Sequence, residues 1–227
     1  MKKKYIIGNW KSNKTPVEVE EWFIQSKNLY EREKNSITED IQIILCPSFV
    51  HLSQAYELSR KYNLPIRLGA QDISPFGIGA YTGEIAASQI ADFVEYVIIG
   101  HSERRTFFGE NETILTQKTK QALQAKLIPI YCIQDENTSI PPGISVVAYE
   151  PVFAIGTGKT ETPTRANEVA QKVRQKIKVD TFIYGGSVTP DNIHSFLTLG
   201  YVDGVLPGGA SLTPALFWEM IRNASHT

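Results

Sequence analysis

The 227-residue chain is 42% hydrophobic and 21% charged, with a formal net charge of −1. These are ordinary globular proportions, and the balanced charge argues against a protein that grips nucleic acid through a basic surface. The length suits one large α/β domain or two small ones, and with no linker or low-complexity stretch to divide it, residues 1–227 read as a single domain.

The start, MKKKYIIGNW, is basic, but its apolar run breaks at Gly8 and Asn9, too soon for a signal peptide or a membrane span. Lys2 to Lys4 read as a solvated end. YIIGN (5–9) is a first strand, and Val19, Trp22, Phe23, Ser26 and Tyr30 then share one face at helical spacing. Further apolar runs follow at QIILC (42–46), IRLGA (66–70), YVIIG (96–100), IPIYCI (128–133), SVVAY (145–149), TFIY (181–184) and VDGVL (202–206). They are continuously apolar rather than alternating, as strands of a parallel sheet buried on both faces must be.

Helical patterns occupy most of the gaps. One covers 112–126; another, 163–177, aligns Ala166, Val169, Ala170, Val173 and Ile177 behind a Thr162 cap and Pro163. A third follows Thr213-Pro214 with Phe217, Met220, Ile221 and Ala224. Eight strands with helical crossovers predict an α/β fold of the (β/α)8-barrel type, with a doubly wound sheet as the competing arrangement. Between the fifth and sixth strands, QDENTSIPPGI (134–144) is too rich in proline and turn formers for an amphipathic helix, so a short loop is expected there. Cys46 and Cys132 lie in apolar runs and read as buried free thiols of a cytoplasmic protein.

The polar residues just past the strands carry the chemistry. Asn9 and Lys11 follow the first strand, His101 the fourth, Glu150 the sixth, Ser187 the seventh, and Gly208 and Gly209 the eighth. A barrel brings these ends to one mouth. There a carboxylate can take a proton from carbon, an imidazole can polarise a carbonyl, and an ammonium can offset developing negative charge. The glycines suit backbone N–H contacts to phosphate. Each residue alone reads as an ordinary loop or surface group; it is their joint placement that favours a site. GTGKT (156–160) is no nucleotide loop, because Phe153 stands where the first glycine would be required. No metal or cofactor is called for.

Six stretches, GNWKSN, GAYTGEI, IIGHSERR, AYEPVFAIGTGKT, YGGSV and GGASL, occur in an order that closely resembles the triosephosphate isomerase family. The resemblance runs from Tyr5 to about the last helix and implies a TIM barrel interconverting dihydroxyacetone phosphate and D-glyceraldehyde 3-phosphate, in glycolysis and gluconeogenesis. It implies Glu150 as base, His101 as neutral electrophile, and Lys11 and Asn9 as electrostatic partners, with Glu103 beside them. Phosphate would meet Gly156, Ser187, Gly208 and Gly209. The helix start expected after His101 would lower its pKa. The closing lid would comprise Pro151, Val152, Phe153, Ala154, Ile155, Gly156, Thr157, Gly158, Lys159, Thr160 and Glu161, with Glu150 at its hinge.

The resemblance also implies self-association. Residues 72–79 resemble an interface loop. Thr82 would reach the partner's site, Glu84 would face the partner subunit's Arg104, and Gln71 belongs to the same interface. A homodimer ranks first and a tetramer second, the latter formed through the face left thin by the missing helix. In the dimer, Ile140 and Ile144 would plug that face. Departures from the family are Phe153 for the lid tryptophan, Asp135 for a glutamate it would meet, and Pro207 before the phosphate glycines. Two other readings compete: a catalytically dead barrel used for binding, and a different phosphate-binding barrel enzyme.

Overall fold

A computed structural model of the chain describes residues 2–151 and 161–226. Eight strands, each hydrogen-bonded in parallel to the next, close into a barrel. They are β1 (Lys4–Asn9), β2 (Ile41–Cys46), β3 (Ile66–Ala70), β4 (Tyr96–Ile99), β5 (Ile128–Ile133), β6 (Val146–Tyr149), β7 (Thr181–Tyr184) and β8 (Gly204–Val205). The helices are α1 (Pro16–Glu33), α2 (Leu52–Lys61), α3 (Ala87–Ile90), α4 (Ser102–Phe107), α5 (Glu112–Gln124), α6 (Pro163–Lys176), α7 (Ile193–Leu197) and α8 (Pro214–Ser225). The doubly wound alternative is thereby excluded. No helix of the described residues is long and apolar enough to cross a membrane.

The unbroken apolar runs conceal a period of two. Ile7, Ile44, Ile98, Ile130, Cys132 and Ala148 belong to a cluster made of strand and strand-end residues, which fills the barrel. Their neighbours Ile6, Ile43, Val97, Tyr131 and Val147 join a larger cluster with the helix stripes. Both sets are apolar because both faces are buried. The helix stripes fall where the spacing places them: Val19, Trp22, Phe23 and Ser26 on α1, and Ala166, Val169, Ala170 and Val173 on α6. Thr162 caps α6 by accepting the Arg165 N–H at 3.2 Å. Tyr30 is only half-buried, its ring 5.5 Å from that of Trp218. Lys2 pairs with Asp203, and Lys4 donates to the Ala224 carbonyl at 3.0 Å, so these two lysines are tied to the base of the barrel rather than simply solvated.

β8 is shorter than the expected 202–206. Leu206 still donates its N–H to the Tyr184 carbonyl at 2.8 Å, and Pro207, which has no N–H, donates nothing further. Gly204 admits the close approach of β1, since a Cβ there would lie 2.3 Å from the Tyr5 carbonyl oxygen.

Residues 134–145 form no helix. Ile144 is buried and Ile140 packs half-buried against the outer core, so the loop plugs the face itself. Glu136 fastens it to α6. Its carboxylate accepts from Arg165 at 2.9 and 3.1 Å and from Lys172 at 2.8 Å, and its carbonyl accepts from Lys176 at 2.6 Å. Lys172, the residue's own backbone amide and Arg165 hold the Glu136 pKa down at about 2 against burial.

Glu136→Gln should therefore lower stability by about 1 kcal/mol or less, because Arg165 and Lys172 are 36% and 50% exposed and water screens them. A carboxylate with a depressed pKa stabilises above its unfolded value and loses that contribution as pH falls through the folded one. The deficit should accordingly shrink between pH 4.5 and about 2. Urea unfolding of both proteins across that range measures it, and a deficit constant with pH contradicts the ion-pair origin.

Candidate active site

Continuing the alternation past β6 turns Glu150 inward at the barrel mouth, where it is 1% exposed. Its N–H donates to the Ile133 carbonyl at 2.8 Å. Oε2 accepts the N–H of Ser102, the first residue of α4, at 2.8 Å. Oε1 lies 3.0 Å from His101 Nε2, but the approach falls short of hydrogen-bond geometry, so Oε1 has no full partner among the described residues. Gly185, just past β7, makes room for this carboxylate; a Cβ there would come within 2.9 Å of Glu150 Cγ.

His101 caps α4, its Nδ1 accepting the Glu103 N–H at 3.2 Å. A neutral ring that accepts at Nδ1 carries its proton on Nε2, facing Glu150. Burial pushes the His101 pKa down, but the Glu150 carboxylate, followed by Glu103, outweighs it and the net direction is up. This corrects the expected lowering by the start of α4: in the resting geometry the neighbouring carboxylate wins.

Asn9 is buried at the end of β1, and its Oδ1 accepts the Lys11 N–H at 3.0 Å. Lys11 adopts a left-handed φ of 53°, which a non-glycine residue keeps only when its surroundings enforce it. The Lys11 carbonyl is bound by Ser48 Oγ and by Gln71 Nε2, both at 2.9 Å. So pinned, Lys11 aims Nζ at Glu103 Oε1, 2.5 Å away. A cleft of about 500 Å³ is lined by Lys11, His101, Ser187, Gly208 and Gly209, which brings these expected site residues together. A larger groove of about 710 Å³ lies at the other end of the barrel, around the starts of β2 and β3, away from this acid–base set.

α4 rests on buried charge. Lys118 lies between Asp72, at 2.6 and 2.7 Å, and Glu110, at 2.5 Å; Arg104 of α4 reaches both carboxylates, at 2.8 and 2.5 Å. Burial raises the Asp72 pKa to about 6, against the pull of Lys118. Arg104 is thus engaged within its own chain, while Thr82 and Glu84 are exposed. Asp135 accepts the Asn137 N–H at 2.8 Å, inside its own loop. Among the lid residues, Pro151 is buried and Glu161 half-buried; Val152 to Thr160, with Phe153 and Gly156, lie outside the described residues.

Two parts of the site escape the sequence: the bracing of Lys11 by Gln71 and the clearance at Gly185. Cys132 is a further neighbour: its pKa is driven well up by burial first and by the Glu150 charge second. Only the YGGS stretch hints at any of this, since a glycine at a strand end signals a close approach.

Fold and mouth together are those of the (β/α)8-barrel class, with a carboxylate, an imidazole and an ammonium gathered at the strand ends. The family model for triosephosphate isomerase matches residues 4–144 and 139–224. A protein named triosephosphate isomerase from Mesomycoplasma hyopneumoniae (strain 7448) is 36% identical over 244 residues, covering 98% of this chain and all of the relative. Relatives of the same name from Dictyoglomus turgidum and Mycoplasmopsis pulmonis are 37% and 39% identical; the alignments cover 98% and 97% of this chain and 100% and 98% of theirs. The chain belongs to the triosephosphate isomerase family.

The Glu150–His101 contact has a measurable consequence. Glu150→Gln removes the charge that raises the His101 pKa, so the imidazole titration followed by NMR should move to lower pH than in the wild type. An unchanged or higher midpoint contradicts this origin of the shift.

Proposed function

We propose that the chain interconverts dihydroxyacetone phosphate and D-glyceraldehyde 3-phosphate through an enediolate. What carries this reading is a glycine-lined cleft bordered by His101 and Lys11, with the Glu150 carboxylate 3.0 Å from the His101 ring, in a chain of this family. The roles of base and neutral electrophile are those established for the family's chemistry, and the positions of Glu150 and His101 suit them. Glu150 takes a proton from one carbon and returns it to the next. For this it must leave Ser102 and turn to the substrate. As it moves, the charge that raises the His101 pKa departs, and burial and the start of α4 then act to keep the imidazole neutral. The Nε2 proton can then be shared with the enediolate oxygens. Lys11 and Asn9 supply the electrostatic setting, with Glu103 orienting the ammonium.

Phosphate would be bound by backbone N–H groups at Ser187, Gly208 and Gly209, and at Gly156 from a lid over 151–161. Closure would keep water from the enediolate. The same residues argue against a dead binding barrel, which needs no such acid–base set. They also argue against another phosphate enzyme, which would need the glycines and not the Asn9–Lys11 arrangement. A coupled assay with glyceraldehyde 3-phosphate tests the reading. Glu150→Asp draws the carboxylate back by one bond and should cost about 10²-fold or more, mainly in kcat. Near-wild-type turnover in that variant removes Glu150 from the role of base.

A cytoplasmic homodimer completes the reading. Buried free thiols at Cys46 and Cys132 suit a reducing compartment. Ile78, Phe107 and Phe108 are 78%, 75% and 66% exposed, and apolar surface of this kind near a site suits a partner. Phe108 also lines a cleft of about 250 Å³ shared with Asn9, Lys11, Gln71 and His101, which is open to residues such as Thr82 of a second copy. The loop plug at Ile140 and Ile144 favours dimer over tetramer. Light scattering should give a mass near twice the 25.4 kDa chain at all concentrations, and a mass near four chains overturns the plug as sufficient cover.

A further inference from the structure

β6 and β7 end side by side, with Tyr149 and Tyr184 in register and the Gly185 N–H donating to the Tyr149 carbonyl at 2.8 Å. Both tyrosines grip the same residue. The Glu161 N–H donates to the Tyr184 hydroxyl at 2.9 Å, and the Tyr149 hydroxyl donates to Glu161 Oε2 at 3.4 Å. Oε1 of the same carboxylate accepts the Thr162 N–H at 2.9 Å, and Thr162 is the cap of α6. Tyr149 immediately precedes Glu150. One side chain thus joins the strand that carries Glu150 to the start of the helix that follows, on either side of the connection between them.

We propose that Glu161 is a positioning residue for the isomerisation, its carboxylate closing the stem of the β6–α6 connection against the Tyr149 hydroxyl. The inference rests on the isomerase reading above. A tie between the two ends of a connection fixes the roots from which it springs. One of those roots is the backbone of Glu150, where a displacement of about 1 Å can cost as much as 10²-fold in rate. The phenol is a suitable anchor. Tyr149 is 3% exposed, and burial followed by the Glu161 charge drives its pKa upward, so it stays a neutral donor. Tyr184 is held in turn by Phe196, stacked at 4.1 Å, and its pKa is raised to about 12 by burial, with the Glu161 backbone opposing. The stem therefore stands on two fixed rings and one carboxylate.

The test compares wild type, Glu161→Ala, Glu161→Gln, Tyr149→Phe and the double variant Glu161→Ala/Tyr149→Phe. It measures kcat, KM, thermal midpoint and the inorganic phosphate released per isomerisation. Phosphate release reports a loosened site, because in an exposed enediolate the electron pair breaks the C3–O bond and expels phosphate. Glu161→Ala should lower kcat about tenfold, raise the phosphate share, and leave the thermal midpoint little changed. Glu161→Gln keeps an acceptor oxygen and should recover most of the loss. The double variant should lose less than the product of the single losses. A wild type without isomerase activity overturns the functional reading and this inference with it. A competent wild type whose Glu161→Ala variant keeps its kcat and phosphate share overturns the inference alone, as does a rate loss that merely follows the thermal midpoint.

Discussion

A carboxylate that is 1% exposed sits at the mouth of this barrel, and its charge must be stabilised where it stands. The Ser102 N–H at the start of α4 donates to one oxygen at 2.8 Å, and the His101 ring lies 3.0 Å from the other. Much else follows from the arrangement. α4 has to begin at the mouth, so β4 must end in a residue that can cap it; His101 does so with Nδ1 and thereby commits its Nε2 proton to the site. Because one oxygen of Glu150 is bound and the other lacks a full partner, the carboxylate is anchored without being neutralised.

The same demand explains the buried charge beneath α4. A short helix with a carboxylate leaning on its first N–H cannot be allowed to drift, and Arg104 joins it to Asp72, Glu110 and Lys118. Such a cluster is costly to desolvate and contributes little net stability compared with apolar packing. What it provides is a fixed direction for α4. On the opposite side of the mouth, Lys11 is held in a left-handed backbone by Asn9, Ser48 and Gln71. Of the groups gathered at the mouth, Lys11 carries the backbone strain, and its surroundings hold it there.

The barrel is legible in the sequence because burial on both faces leaves continuous apolar runs, and its helices because one-sided burial leaves stripes such as Ala166, Val169, Ala170 and Val173. The candidate residues gathered at the mouth are legible because strand ends converge in any barrel, whatever the details of packing. Bracing is not. Gln71 reaches the Lys11 carbonyl across 60 positions of sequence, and nothing in its local pattern announces that. The direction of the His101 pKa is hidden for a related reason. The helix start is a local feature, whereas the stronger influence, Glu150, lies 49 positions away and depends on the rotamer it adopts. β8 reads longer in the sequence because Val202 and Leu206, which flank Gly204–Val205, are buried and therefore apolar as well.

The missing helix shows what a barrel needs from its outer layer. Each crossover helix covers apolar strand faces and fixes where the next strand begins; these tasks are separable. Between β5 and β6 the covering passes to Ile144 and Ile140, which are side chains of the loop itself. The fixing passes to Glu136, whose carboxylate and carbonyl together take three cations from α6. Because α6 is also the helix that follows the β6 connection, the loop is tied to the element that carries Thr162 and adjoins Glu161. The short loop therefore links two neighbouring connections through α6. Arg165 stands at that junction, bonded to Glu136 by its side chain and to the Thr162 cap by its backbone. The covering is less complete than a helix would give, since Leu123 remains 40% exposed beside Pro141 and Pro142. The loop's contacts run from Arg165 in the first turn of α6 to Lys176 at its last residue, so one short segment braces that helix along its whole length.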